Sequence, residues 1–371
     1  MTTALLILAV VFTALMMFGV PVSFSIGIAT LLALFTVTPT PNTALIVSAQ
    51  RVASSLDSFT LVAIPLYILA AGLMNTGGIA MRLIDLAKVL VGWLPGSLAQ
   101  ISVVANALFG AISGSAVASA ASVGATLSPL QRQAGYNMPI CAAANVASSP
   151  CGLLIPPSGA LIVYSLISGG TPVDVLFVAG YIPGILMAGS VMVWLAIIAR
   201  RGELPTDVRR YSMNEAAHIF WRALPALAMI AIIMGGIVGG IFTATEAAGV
   251  AALYTLVLGL LYRSLTLKTL VGSVINASVG TAVVMLMVGV SMTMSWLLAS
   301  TGSVQMLGEA IIGVSSNPYV LLLLLNILLL VLGTFLDITP GLLIFTPIFL
   351  PVAMKLGISP VHFGIIMTFN L

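Results

Sequence analysis

Gly110-Ala-Ile-Ser-Gly-Ser-Ala-Val-Ala-Ser119, a short basic turn at Arg132, then Asn145-Val-Ala-Ser-Ser-Pro-Cys-Gly-Leu-Leu-Ile-Pro-Pro-Ser-Gly159: this stretch decides the fold. It lies in apolar sequence, with no Asp, Glu, Lys or Arg between Lys88 and Arg132 or between Arg132 and Asp174. A lipid-facing helix has no use for Ser-Gly-Ser or Ser-Ser-Pro-Cys-Gly. Such breaks leave backbone amides and carbonyls unpaired, which a bilayer tolerates only where the backbone is buried in protein or lines a polar cavity. Two breaks in one half of the chain point to a site for a small solute or ion.

The surrounding composition agrees. Of the 371 residues, 60% are hydrophobic and 6% charged, and the mean hydropathy is +1.23. A soluble domain carries roughly a quarter charged residues, so the expected fold class is an all-α polytopic membrane protein with about ten crossing or re-entrant segments. The apolar N-terminus lacks a basic flank and runs on past Gly19-Val-Pro21, which marks a first span rather than a cleaved signal. The net charge of +3 sits in loops and does not point to nucleic acid. Cys141 and Cys151 lie in apolar sequence as small packing residues, and His218 and His362 are too far apart for zinc or haem spacing. Ser119 and Ser148 have no histidine near them in sequence, so no catalytic constellation is expected and the chain reads as a non-enzyme.

In chain order, residues 3–18 and 22–38 are apolar segments, 39–57 a loop with two prolines, 59–75 a span and 79–92 an amphipathic surface helix. Residues 96–130 read as a re-entrant helical hairpin turning at Ser113-Gly-Ser115. A helix over 138–168 breaks near Ser148 to Pro157, and 174–199 is a span. After the loop at 200–216, spans cover 217–240, 244–262 and 269–296, with a surface segment at 303–316. A second hairpin over 319–354 breaks at Asp337-Ile-Thr-Pro-Gly341, and 359–371 begins a last helix. Arg200, Arg201, Arg209 and Arg210 place the 200–216 loop in the cytoplasm by the positive-inside rule; counting spans puts Arg132 inside and Lys355 outside.

The halves repeat at an offset of 222 residues, which pairs Gly27 with Gly249, Pro129 with Pro351 and Gly135 with Gly357. The expected domains are therefore a first inverted repeat over 1–199 with its hairpin at about 96–130, the cytoplasmic loop, and a second inverted repeat over 217–371 with its hairpin at about 319–354. At the same offset Ser148 corresponds to Asn370, so the last helix reaches only to where it should break. The expectation is a natural chain that continues with such a break and a further span.

Gly110 to Gly124, Ser148 to Gly159, Gly240-Ile-Phe-Thr-Ala-Thr-Glu-Ala-Ala248 and Gly333-Thr-Phe-Leu-Asp-Ile-Thr-Pro340 resemble the large membrane subunit of TRAP (tripartite ATP-independent periplasmic) transporters along essentially the whole chain. The resemblance implies an elevator-type, sodium-driven importer of organic acids in the bacterial inner membrane. It also implies a soluble periplasmic binding protein that delivers substrate and a small four-helix membrane subunit. The alternative is a stand-alone ion-coupled anion permease of related hairpin architecture.

Sodium is a hard cation that takes several oxygen ligands, which broken helices supply without fixed charge. The expected ligands are Ser113, Gly114, Ser115, Asn145, Ser148 and Gly152 in the first half, and Gly333, Thr334, Asp337 and Thr339 in the second. Asp337 is the one acid after Glu309, set in apolar sequence. It reads equally as an ion ligand and as a helix cap. An anionic substrate would meet the half-helix N-termini, with Ser115, Ser119, Pro156, Thr339 and Pro340 as contacts. Glu246 reads as a helix-start acid. No cofactor beyond sodium is expected.

Overall fold

The computed structural model describes residues 2–206, 211–313, 317–334 and 336–371. The side chains of Thr2, Ala80, Ile112, Ser113, Leu307, Ala310, Ile311, Ile312 and Pro318 fall outside the description. Arg209, Arg210 and the expected ligand oxygen of Ser113 therefore lie outside the described residues. The helices are α1 (Thr2–Met17), α2 (Val22–Val37), α3 (Pro41–Leu56), α4 (Ala63–Thr76), α5 (Ile79–Val91), α6 (Ser97–Ser113), α7 (Ala116–Gln133), α8 (Met138–Ser148), α9 (Cys151–Leu154) and α10 (Gly159–Ile167). They continue as α11 (Val173–Arg200), α12 (Met213–Val238), α13 (Ala244–Leu261), α14 (Leu267–Ser300), α15 (Ser303–Ile312), α16 (Pro318–Gly333), α17 (Ile338–Lys355) and α18 (Pro360–Asn370). No strand occurs among the described residues. Six of the described helices are long and apolar enough to cross a membrane, or seven if the pair Met138–Leu154 and Gly159–Ile167, bent by 51°, counts as one span. The chain is an all-helical, multi-pass membrane protein.

Two expectations need correction. Residues 39–57 are not a loop: Pro41–Leu56 is helical. Pro41 stands in the first turn, where its missing N–H has no intrahelical partner to lose, and Thr40 caps that turn by accepting from the Thr43 amide at 3.2 Å. The second hairpin breaks earlier than Asp337–Gly341. Its first arm ends at Gly333, and Thr339, Pro340 and Gly341 already belong to the first turn of α17. A first-turn proline is tolerated there for the same reason.

The chain divides into two compact units, and neither coincides with a half of the sequence. One gathers the segments up to Val62, Val163–Pro172 and Val279–Leu371; the other gathers Ala63–Ile162 and Val173–Ser278. In the second unit α4 and α13 run side by side in the same direction. A Cβ on Gly249 would lie 3.9 Å from Leu66 Cδ1, and one on Gly77 would lie 3.7 Å from Gly259 Cα. Arg82 closes one end, stacked 3.4 Å over the Tyr262 ring and donating to the Arg222 carbonyl at 3.2 Å. In the first unit α2 meets α14, where a Cβ on Gly27 would lie 3.2 Å from Val290 Cγ1. Lipid tails are as apolar as leucine, so such helix pairs hold by close packing of small residues rather than by escape from solvent.

The bounds of the second hairpin arm and of the helix after it recur along the chain. Adding 222 to Ala116–Gln133 gives Ile338–Lys355, and adding it to Met138–Ser148 gives Pro360–Asn370, at both ends of each helix.

Candidate functional site

In the second unit a hairpin tip meets a broken helix. α6 stops at Ser113 because Gly114 turns the backbone to φ +63°, a region that favours glycine, and the Gly114 amide closes the turn on the Gly110 carbonyl at 2.9 Å. Ser115 then caps α7, its hydroxyl accepting from the Ala118 amide at 3.2 Å. Opposite, α9 ends at Leu154, and Pro156 and Pro157 follow in buried positions. α10 starts at Gly159 with the Ser158 hydroxyl accepting from the Leu161 amide at 3.4 Å.

Glycines bring these elements together. A Cβ on Gly110 would lie 2.7 Å from Gly152 Cα, and one on Gly114 would lie 3.4 Å from the Gly159 amide nitrogen. Two helix C-termini (α6 and α9) and two helix N-termini (α7 and α10) thus end in one region. Carbonyl ends suit a cation and amide ends suit an anion, which is what an ion and a carboxylate together require.

The expected residues Gly114, Ser115, Asn145, Ser148, Gly152, Ser119 and Pro156 all belong to this assembly. Ser119 and Ser148 are fully buried, and both engage Asn106, which the sequence reading missed. The Asn106 amide nitrogen lies 2.9 Å from each of the Asn145 carbonyl, Asn145 Oδ1 and Ser148 Oγ. Ser119 Oγ donates to Asn106 Oδ1 at 2.8 Å. Asn145 in turn donates to the Ala120 carbonyl at 2.8 Å, and Gly124 leaves room for its amide. An asparagine in a largely apolar hairpin arm, two turns before the Ser-Gly-Ser tip, was the available signal.

In the first unit α16 ends at Gly333, whose Cβ would lie 2.7 Å from the Asn370 carbonyl oxygen. The Thr334 hydroxyl donates to the Val331 carbonyl at 2.7 Å. Asp337 holds the N-cap position of α17 in extended conformation (φ −67°, ψ 158°), and its exposed side chain makes no capping hydrogen bond. Of the two roles expected for Asp337, the capping bond is not made. Thr339 is half-buried and Pro340 buried in the first turn that follows. Elsewhere, Glu246 completes a capping box on α13, accepting from the Thr243 amide and hydroxyl at 2.8 Å each.

Backbone ends at two hairpin tips and a broken helix, in an all-helical membrane protein, are the architecture of a membrane carrier. Residues 9–371 match the family described as the tripartite ATP-independent periplasmic transporter, DctM component, and the chain belongs to that family. It is 39% identical over 357 residues to the sialic acid TRAP transporter large permease protein SiaM of Vibrio cholerae, covering 95% of this chain and 82% of that protein. It is 33% identical over 372 residues to the C4-dicarboxylate TRAP transporter large permease protein DctM of Rhodobacter capsulatus, covering 96% and 84%. Among solved structures it is similar to the Alcanivorax borkumensis YdaH transporter, with a TM-score of 0.52 and 16% identity over 87% of this chain and 75% of that one. That likeness concerns the fold. The relatives are named as transporter permeases, so the chain is a transporter subunit and carries no catalytic step of its own.

Proposed function

We propose that the protein is the large permease subunit of a sodium-coupled importer of a small organic acid anion in the bacterial inner membrane. The observation that carries this reading is the meeting of the Gly114–Ser115 tip with the break between α9 and α10, where carbonyl and amide ends are offered together. Family membership supports the transport class, and relatives named for sialic acid and C4-dicarboxylates support a carboxylate substrate. Sodium would be held by backbone and hydroxyl oxygens around Gly114, Ser115, Asn145, Ser148 and Gly152, and around Gly333, Thr334, Asp337 and Thr339. The substrate carboxylate would sit at the amide ends, by Ser115, Pro156 and Pro340.

Two inverted repeats, 1–199 and 217–371 joined by a cytoplasmic loop, would then move the site by an elevator motion. A small four-helix membrane subunit would brace the permease. A soluble periplasmic binding protein would deliver the anion and set much of the selectivity. The test is uptake into proteoliposomes holding all three proteins. An inward sodium gradient should drive accumulation of a labelled organic acid that the binding protein captures, with no requirement for ATP. Equal accumulation with potassium in place of sodium, or accumulation without the binding protein, would overturn the reading.

A further inference from the structure

We infer that Asn106 and Asn326 are positioning residues that seat each hairpin on the helix following it, an inference that rests on the sodium-coupled reading above. Asn106 stands seven residues before Ser113, the last residue of α6, and Asn326 stands seven before Gly333, the last of α16. Each meets an asparagine of the next helix but one in its hairpin's own unit. The Asn106 amide donates toward α8, reaching Asn145 Oδ1 at 2.9 Å. In the other unit the direction is reversed, and Asn370 Nδ2 of α18 donates to Asn326 Oδ1 at 2.8 Å. Backbone carbonyls, which can only accept, fix every orientation. Asn106 faces the Asn145 carbonyl, Asn370 donates to the Ile366 carbonyl at 2.7 Å, and Asn326 donates to the Leu322 carbonyl at 2.8 Å.

The two turns between each asparagine and its arm's end are largely apolar, and leucine in its place would pack against any register of the neighbouring helix. A buried amide bonds in one register only, since any other leaves it unsatisfied in the membrane. Asn106 also binds Ser119 of α7 and Ser148 of α8, so one side chain joins both hairpin arms to the broken helix. Asn106 and Asn326 thus act through the hairpin tips and not as ion ligands.

The direction of donation gives the test. Aspartate keeps an acceptor and loses the donor, so N106D breaks its pair and N370D breaks the other. In the reconstituted transporter, N106D and N370D should raise the sodium concentration for half-maximal uptake about tenfold, the scale of one interhelical hydrogen bond. The maximal rate at saturating sodium should change little. Should N106D fail to insert, N106S, which also lacks the amide, should show the same shift. Unshifted sodium activation in N106D or N106S, or in N370D, would overturn the inference. If wild-type uptake ignores sodium, the sodium reading fails by itself, and amide hydrogen exchange decides the positioning role. N106D or N106S should speed exchange over 116–122 and 145–152 about tenfold and leave α12 and α13 unchanged. Unchanged exchange would refute it.

Discussion

Gly110→Ala adds one methyl group where two backbones touch. Its carbon would lie 2.7 Å from Gly152 Cα and 3.4 Å from the Gly152 carbonyl carbon and amide nitrogen. Carbon atoms rest at about 3.5–4.0 Å, so α6 and α9 must part by about 1 Å. The neighbours are main-chain atoms, and no flexible side-chain end can swing aside. Overpacking of this kind costs about 1–3 kcal/mol. The functional effect should exceed the loss of stability, because a displacement of about 1 Å at a binding geometry can lower a rate on the order of a hundredfold. Gly189→Ala on α11 is the control: its methyl group meets nothing within 4 Å, and it should gain about 0.5–1 kcal/mol from lost chain flexibility. The assay pairs a thermal midpoint of the purified subunit with sodium-driven uptake by the reconstituted transporter. Gly110→Ala should insert, melt a few degrees lower and lose most of its uptake, and Gly189→Ala should melt no lower than the wild type and keep its uptake. An unchanged midpoint and unchanged uptake in Gly110→Ala would show that the two backbones are not held in contact.

Other expectations follow from the tips and the loops. Asp337→Ala and Ser115→Ala should each weaken the sodium dependence of uptake while leaving the protein in the membrane; wild-type sodium activation in both would remove these residues from the ion sites. In a background without Cys141 and Cys151, single cysteines at positions 132, 205 and 355 should separate by side. An impermeant reagent from outside should label 355 and spare 132 and 205, and the reverse pattern would end the inverted arrangement.

The helices were legible where composition and punctuation agree. Gly19-Val-Pro21 separates α1 from α2, and Ser113-Gly-Ser115 marks the first tip because Gly114 alone can take the left-handed turn there. α3 was hidden because Pro39 and Pro41 read as loop residues, and only capping by Thr40 converts Pro41 into a helix start. The second tip was displaced for a related reason. Asp337-Ile-Thr-Pro-Gly341 is rich in turn residues, but its Pro340 fits the first turn of α17. Of the site, the glycines were legible as breaks, yet their partners were not. That Gly110 faces Gly152 and Gly333 faces Asn370 depends on how α9 and α18 cross the hairpins, which spacing along one helix does not encode. Asn106 escaped for the same reason, since its partners are 13 to 42 residues away.

The recurrence of helix bounds has a mechanical cause. A hairpin arm is anchored where it leaves the membrane surface, so its residue count sets how deep the tip lies. One inserted residue would move a tip by about 1.5 Å and rotate it by about 100° about the helix axis. That rotation would carry Ser115 out of its cap, or Asn106 away from Asn145, although each arm would remain as apolar as before. A tip that must present its amide end at a fixed depth therefore tolerates substitution along the arm that follows it better than insertion. α7 and α17 differ at most positions yet both have 18 residues, and α8 and α18 both have 11. The longer α14, with 34 residues, carries no tip and has no such constraint on its length. Length is thus held in the arm that follows each tip and in the helix after it, while the leading arms α6 and α16 differ by one residue, 17 against 16.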